Sequence, residues 1–540
     1  MSSTDPGVQA GGVGKNPDSL PLSTSKFEAE VSRYRALNET CSPVHRSQSL
    51  PSIRTLWSAA SRRVRRSLFR GLFLRVNQSM IDRTPLRRTH FCNSPRDLSW
   101  ANAELQRWRS SGILTPFLKK ETPLIHPWFV VWKKGKPRLV IDFLRLNSAI
   151  SESPSVQYQD LRSLPPLVKK GNFMFSIDIK SAFHHIPLSQ SLQTLSCISW
   201  QGQVFALTVM SFGLNMAPRI WCQVLEFPLS ILRAEGVILS SYMDDILGIA
   251  PTRTHAHQSI LRCLEVLTSF GFVLNWEKSV LAPTREIQHL GFTINSRLLS
   301  FSIPPAKLSD IRNFCFSAAT RPHLRLRTVQ SLLGKILAVS VAFLPARRFT
   351  WSIIQELSGK TQGPKARRRD PKEKIFLSLE ARQDLAWIHQ ALRQGASRRF
   401  SSRPLVRLYT DSSMRGWGAW SPDLGMATSG HWLPSVRVPH IQELELEAVN
   451  LAISVLPFPR HSDLHLFIDN IAAKAYIEKW GGSASPELRR LSHRLWDTTV
   501  RKDLCIFRVS YIPSKDNTVA DRLSRLAPPP SLHEISSSRH

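Results

Sequence analysis

Residues 236–250, GVILSSYMDDILGIA, decide how the fold is read. Two apolar arms flank Tyr242-Met243-Asp244-Asp245, a pattern that predicts a β-hairpin with acids at its tip. Adjacent carboxylates at a tight turn repel each other, and a divalent cation offsets that repulsion. Upstream, NFMFSID (172–178) alternates into a strand that ends in Asp178. Carboxylates from two neighbouring strands suit nucleotidyl transfer, which needs two cations about 4 Å apart, one for the attacking 3′ hydroxyl and one for the leaving pyrophosphate. Taken alone, Asp178 reads more readily as a helix cap after a strand, and Asp244 and Asp245 read also as a solvated turn.

The rest of the chain narrows the class of protein. At 540 residues it calls for several domains, and 42% hydrophobic residues suffice for their cores. Seven cysteines are scattered without a C-x-x-C pair, which argues against a disulfide scaffold or a zinc finger. The N-terminal stretch lacks the apolar core of a signal peptide, and no run of eighteen apolar residues occurs. A protein that is not secreted, does not enter a membrane and works in the cytoplasm or nucleus is therefore expected. Lys and Arg number 72 against 40 Asp and Glu, a net charge of +32, so a polyanionic partner is expected, with nucleic acid first.

Along the chain, residues 1–56 read as a disordered extension. In 57–95, Val64, Leu68, Leu72 and Val76 recur every four residues among arginines, predicting a basic amphipathic helix over 57–76 followed by a linker. That helix could dock on the next domain, bind nucleic acid or serve as a nuclear signal, and the sequence does not choose. Residues 96–300 alternate strands and helices, 301–357 look helical, 358–403 hold a basic linker and a helix, 404–526 form a second globular unit, and 527–540 read as a flexible tail.

Six motifs in one order resemble the reverse transcriptases of retroelements. KPRLVIDFLRLN (136–147) resembles the fingers strand, FSIDIKSAFHHIPL (175–188) the strand and helix of the first catalytic acid, and SFGLNMAPRIW (211–221) the loop and helix that meet template and nucleotide. SYMDDILGIA (241–250) resembles the hallmark hairpin, and GFVLNWEKSVL (271–281) and HLGFTI (289–294) the two downstream motifs, the last being the primer grip. The resemblance implies that Asp178, Asp244 and Asp245 are catalytic metal ligands. It implies that Arg138, with Lys133 or Lys134, meets the triphosphate, that Phe183 lies under the sugar, and that Lys278 protonates pyrophosphate. Phe212 and Gly213 fall in the substrate loop, where Phe rather than Gln is typical of retrotransposon members.

The second unit opens with LVRLYTD (405–411), a strand ending in Asp411, and LHLFID (464–469) is another, ending in Asp469. Residues 441–455 form an amphipathic helix, on which periodicity does not choose between Glu445 and Glu447. DNTVADRLSRL (516–526) is a helix containing Asp521, which lies three residues after Thr518 and by itself reads as a cap. The order resembles the ribonuclease H domain of retroelement polymerases, which selects Glu445 and implies an Asp411, Glu445, Asp469, Asp521 metal set. Many such domains carry a His in a loop before the last Asp. Here RVSYIPSKDNTVAD has none, so slow turnover is expected.

Together the resemblances imply an α+β right-hand polymerase (fingers, palm and a helical thumb or connection) followed by an α/β ribonuclease H-like domain. They imply an RNA-directed DNA polymerase that also cleaves the RNA of RNA–DNA hybrids. Its cofactors would be Mg2+ or Mn2+, two ions per active site, and its partners an RNA template, a DNA primer and product, the hybrid and deoxynucleoside triphosphates. DIRS-like and gypsy-type retrotransposons are most similar, with hepadnaviral polymerases the alternative lineage. The competing reading is a decayed or domesticated nucleic-acid-binding protein that keeps the fold. The presence of all seven expected carboxylates argues against it.

Overall fold

The computed structural model describes residues 23–526 except 40, 42–50, 85, 87, 93, 120, 134, 153–154, 157, 359–372, 401–402, 433–438 and 483. The chain divides into two compact units, Met1–Leu290 and Gly291–His540. The tail at 527–540 and most of the basic linker lie outside the described residues.

The first unit opens with helix α1 (Thr24–Glu39), inside the stretch read as a disordered extension. The correction has a physical basis. Phe27 is buried and stacks on His257, and Val31 and Tyr34 pack on the core. Asn38 is fully buried, donating to Phe272 O at 3.0 Å and accepting from Leu274 N–H at 2.8 Å. After a short helix at Pro51–Leu56, also inside that stretch, and a 3-10 turn at Trp57–Ala59 comes α2 (Arg62–Phe69), capped by Ser61 and with Val64 and Leu68 buried. The expected helix to 76 stops here. Gly71 has φ 83°, and a Cβ on it would lie 2.6 Å from Ser189 N, so the chain turns at a position only glycine fills. Beyond the turn Leu72 bonds to Pro187 O and Val76 pairs with Ile150 as extended chain.

Helix α3 (Pro95–Ser110) precedes β1 (Trp128–Lys133) and β2 (Lys136–Ile141), an antiparallel pair, and the short α4 (Leu144–Ala149). The central sheet is antiparallel, built from β3 (Phe173–Asp178), β4 (Ile238–Tyr242), β5 (Asp245–Ala250) and β6 (Val280–Thr284) in the order β4-β5-β3-β6. Helices α5 (Ala217–Ala234) and α6 (Arg253–Ser269) pack against it. Both bury residues three and four apart, such as Ile220, Val224 and Ile260, Leu264, Leu267, the spacing of a core-facing stripe.

The second unit holds helices α7 (Pro305–Ala319), α8 (Leu326–Leu337), α9 (Trp351–Ser358) and α10 (Leu379–Ala391). They precede a five-stranded sheet of β7 (Leu405–Ser412), β8 (Gly416–Ser421), β9 (Met426–His431), β10 (Asp463–Ile468) and β11 (Cys505–Tyr511). The order is β9-β8-β7-β10-β11, with β7 parallel to β10 and β10 parallel to β11. Helices α11 (Ile441–Val455), α12 (Ile471–Lys479) and α13 (Pro486–Arg501) share the core with the sheet, and α14 (Thr518–Ser524) packs on β7 and β8. Among the described residues no helix is long and apolar enough to cross a membrane.

Candidate active sites

The hairpin forms as expected. β4 and β5 close at Tyr242 opposite Asp245, leaving Met243 and Asp244 as a two-residue loop. Met243 has φ 57°, a conformation usually given to glycine or asparagine in such turns. Trp221 Nε1, from α5, donates to Met243 O at 3.0 Å and pins the loop. On the other side of β5, Asp178 stands directly opposite Asp245, so the register brings the two predicted acids together with Asp244 one residue away.

Asp178 is 7% exposed and does not stand at the N-cap of the 3-10 turn after it, a position held by Ser181, whose side chain makes no capping bond. Its amide donates to Ser279 Oγ at 3.0 Å, and its carbonyl accepts from Asn275 N–H at 2.8 Å. Its Oδ1 has Lys278 Nζ 3.5 Å away as an ion-pair partner and no closer hydrogen bond. Burial pushes the Asp178 carboxyl upward, Lys278 opposes this and Asp244 adds to it. Asp245 is pushed up to about 6 by burial and by its two acidic neighbours. Three carboxylates under mutual repulsion, with Lys278 as the only cation paired to them among the described residues, fit a divalent cation.

Phe183 is 4% exposed and sits one turn beyond Asp178. Its ring meets Phe212 edge-on at 4.8 Å, and Phe212 is 56% exposed, so the pair joins the core to the surface of the loop at 211–216. Gly213 has φ 100°, and a Cβ there would fall 2.4 Å from Ile141 O. The loop is clamped by Asn147, whose Nδ2 donates to Gly213 O at 2.8 Å and whose Oδ1 accepts from Asn215 N–H at 2.9 Å. Asn147, Asn275 and Ser279 were not singled out in the sequence, although each lies inside a quoted motif. Arg138 is exposed on β2, opposite Val131. Lys134 lies outside the described residues, and of Lys133 only the backbone, at the end of β1, is described.

In the second unit, ligand oxygens of Asp411, Glu445 and Asp469 lie within 4.8 Å of one another. Glu445 is 2% exposed, and its Oε1 accepts from Ser412 N–H at 3.1 Å and Ser412 Oγ at 2.8 Å. Its Oε2 is buried without a partner. Glu447 is instead paired with Arg494 of α13. Asp411 accepts from Ser524 Oγ at 2.7 Å, and Asp469 from Ser514 Oγ at 2.9 Å. Burial pushes Asp411 up to about 6, despite the Ser524 bond, and Glu445 up to about 9, with Asp469 adding to the latter. An oxygen-rich trio with an orphaned buried oxygen fits a divalent cation.

The fourth predicted acid is placed differently. Asp521 is not part of the trio. It does not cap α14 either, because its carboxylate is held by Arg525 Nε and Nη2 at 2.9 and 2.7 Å. The serines 412, 514 and 524 and Arg525 were invisible to spacing arguments, since lone hydroxyls and an i,i+4 ion pair occur on any surface.

Residues 119–294 match the family model described as reverse transcriptase (RNA-dependent DNA polymerase). The chain carries a reverse transcriptase domain. Its relatives include the Gag-Pro-Pol polyprotein of Human T-cell leukemia virus 2, 28% identical over 347 residues, which are 62% of this chain and 22% of that protein. The retrovirus-related Pol polyprotein from transposon gypsy of Drosophila melanogaster is 26% identical over 207 residues, 36% of this chain and 19% of that protein. The chain thus spans about a fifth of the length of these relatives. A foamy viral protease-reverse transcriptase, solved in complex with double-stranded DNA, superposes with a TM-score of 0.52 at 18% identity, covering 81% of this chain and 73% of that one. That likeness shows the fold, the α+β polymerase fold of reverse transcriptases.

Proposed function

We propose that the chain is an RNA-directed DNA polymerase of a retroelement, with a ribonuclease H in its second unit. One observation carries the reading: Asp178 and Asp245 face each other across adjacent strands with Asp244 at the turn, inside the segment that matches reverse transcriptases. Asp178, Asp244 and Asp245 would hold Mg2+ or Mn2+ in the polymerase site, and Asp411, Glu445 and Asp469 in the nuclease site. Two such ions per site would supply charge neutralisation and an activated oxygen nucleophile, a 3′ hydroxyl in one site and a water in the other.

The side chains do the rest. Lys278, two-thirds exposed and beside Asp178, holds a proton at Nζ for the departing pyrophosphate. Arg138 offers a forked guanidinium to the triphosphate of an incoming deoxynucleotide, a geometry lysine lacks. The Phe183–Phe212 ring pair excludes a 2′ hydroxyl by contact, since a group that is added can be rejected only by clash. Asp521, paired with Arg525, adds its charge to the field at Asp411.

Primer extension tests the reading. Asp244→Asn should abolish synthesis on RNA and DNA templates while leaving primer–template binding near wild type, since affinity comes mainly from Lys and Arg. Extension at the wild-type rate by this variant would remove the hairpin from the polymerase site.

A further inference from the structure

The basic helix α2 is left without a role by the polymerase and nuclease sites. Its apolar stripe is spent on docking, since Val64 and Leu68 are buried. Its polar side opens onto a cavity of about 610 Å³ lined by Arg62, Arg63, Arg66 and Arg75, with Phe73 on its wall and Glu152 as its one acid. Arg63 Nη2 pairs with Glu152 Oε2 at 2.5 Å. Arg62, Arg66 and Arg75 have no carboxylate partner among the described residues. Phe73 is 50% exposed, and the Arg66 guanidinium lies over its ring at 5.4 Å.

Several local rules are broken in this one place. Arg62 and Arg63 occupy the first turn of α2, where the helix dipole disfavours cations, and no acid accompanies them. Four arginines line one cavity with a single carboxylate. A large ring stands half in water. A bound polyanion would relieve the first two, and a stacked base the third. Arginines that follow a backbone beside an aromatic platform are the combination that recognises single strands, whose bases are free to stack. A duplex keeps its bases stacked and would not use Phe73, and neither would free phosphate.

We propose that this cavity binds single-stranded nucleic acid, with Arg62, Arg66 and Arg75 on phosphates and Phe73 under a base. The choice of strand rests on the polymerase reading. Arg75 O accepts from Ser151 N–H, and Asn77 N–H donates to Ala149 O, at the end of α4, the helix whose Asn147 clamps the Gly213–Asn215 loop. A strand in the cavity is thereby joined through backbone to the loop that meets the template, so the occupant is unpaired template.

The test is equilibrium binding by fluorescence anisotropy with the full chain, in EDTA and without nucleotides, so that it is decided separately from catalysis. Phe73→Ala should weaken binding of a labelled single strand about fivefold or more at every salt concentration. The double variant Arg66→Gln, Arg75→Gln should lower the slope of log affinity against log salt by about 1.4. Phe73→Ala should weaken a primer–template with a long 5′ template overhang but leave a blunt duplex unchanged. Unchanged single-strand affinity in variants that melt with the wild type would overturn the proposal. So would equal losses on blunt duplex, or displacement of the strand by inorganic phosphate at equal phosphate concentration. If Asp244→Asn still extends primers while these binding results hold, the single-strand site stands and the polymerase assignment falls.

Discussion

Replacing Glu445 by Gln should make the metal-free protein more stable while destroying its nuclease. The Glu445 carboxyl is pushed from the ordinary 4.5 up to about 9, chiefly by burial and then by Asp469. The sign follows from linkage. The folded state keeps a proton that the unfolded chain has already released, so this group's contribution is full below about pH 4.5 and is lost as pH rises towards 9. Each pH unit in that window costs about 1.4 kcal/mol, so roughly 3 kcal/mol is gone by pH 7. Asp411, pushed up to about 6, loses its share between about pH 4 and 6, and because the two titrate as a coupled set the losses do not simply add.

Glutamine removes the titrating proton but keeps the shape. Its carbonyl still accepts from Ser412 N–H and Oγ, and its NH2 replaces the unpartnered Oε2 with a donor facing two carboxylates. Calorimetric melting of the full chain in EDTA between pH 5 and 9 measures the difference. The transition of the second unit should fall with pH in the wild type and much less in Glu445→Gln, with the variant melting ~6–12 °C higher at pH 7, taking 2–4 °C per kcal/mol. Mg2+ should raise the wild-type transition more at pH 8 than at pH 6, because the cation displaces that proton. The variant should lose most of this response. A variant that melts below the wild type in EDTA at pH 8, or that keeps the full Mg2+ response, would refute the burial argument.

Asp469→Asn should stop cleavage of RNA in an RNA–DNA hybrid and leave extension on a DNA template close to wild type; equal loss of both would show that the variant unfolds the chain. Phe183→Ala should raise ribonucleotide use relative to deoxyribonucleotide, read as the ratio of kcat/KM in single-nucleotide extension, at a stability cost of about 3–5 kcal/mol for the buried ring. An unchanged ratio in a folded variant would make Phe183 plain core. Asn38→Leu should destabilise the first unit by about 2–4 kcal/mol, since it strands Phe272 O and Leu274 N–H in the core. A melting temperature equal to wild type would mean that helix α1 is dispensable.

Legibility in the sequence followed the period of the apolar residues. The hairpin at 238–250 was readable because two alternating arms bracket one polar turn. Helix α1 was not, because its docking depends on Phe27, Val31, Tyr34 and a buried Asn38, and a fully buried polar side chain carries no hydropathy signal. In 57–76 the spacing of four correctly marked inward-facing residues but not their conformation. Leu72 is buried and Val76 packs on the core, yet Gly71 has already turned the chain out of the helix. Periodicity reports which residues face inward, and a single glycine decides what backbone carries them. In the second site the acids at strand ends were legible, whereas Asp521 was drawn off by an i,i+4 arginine that no spacing rule weighs against a metal.

The polymerase site also shows why its surroundings extend so far along the chain. Met243 and Ser181 are both non-glycine residues in the left-handed region, a conformation that costs about 1–2 kcal/mol each. Such residues persist only where neighbours over-determine them. Here Trp221 holds Met243 O, Ile179 N–H donates to Asp244 O, His184 N–H donates to Ser181 O, and Lys180 N–H donates to Val273 O. Residues 272–275 are in turn fixed by His185 Nε2 on Val273 N–H and by Asn38 on both Phe272 and Leu274. The acids are therefore aimed by a strained backbone, the strain is held by the 272–275 segment, and that segment is anchored by a helix more than 130 residues upstream of the first acid. An N-terminal helix with no chemistry of its own becomes part of what keeps three repelling carboxylates in register.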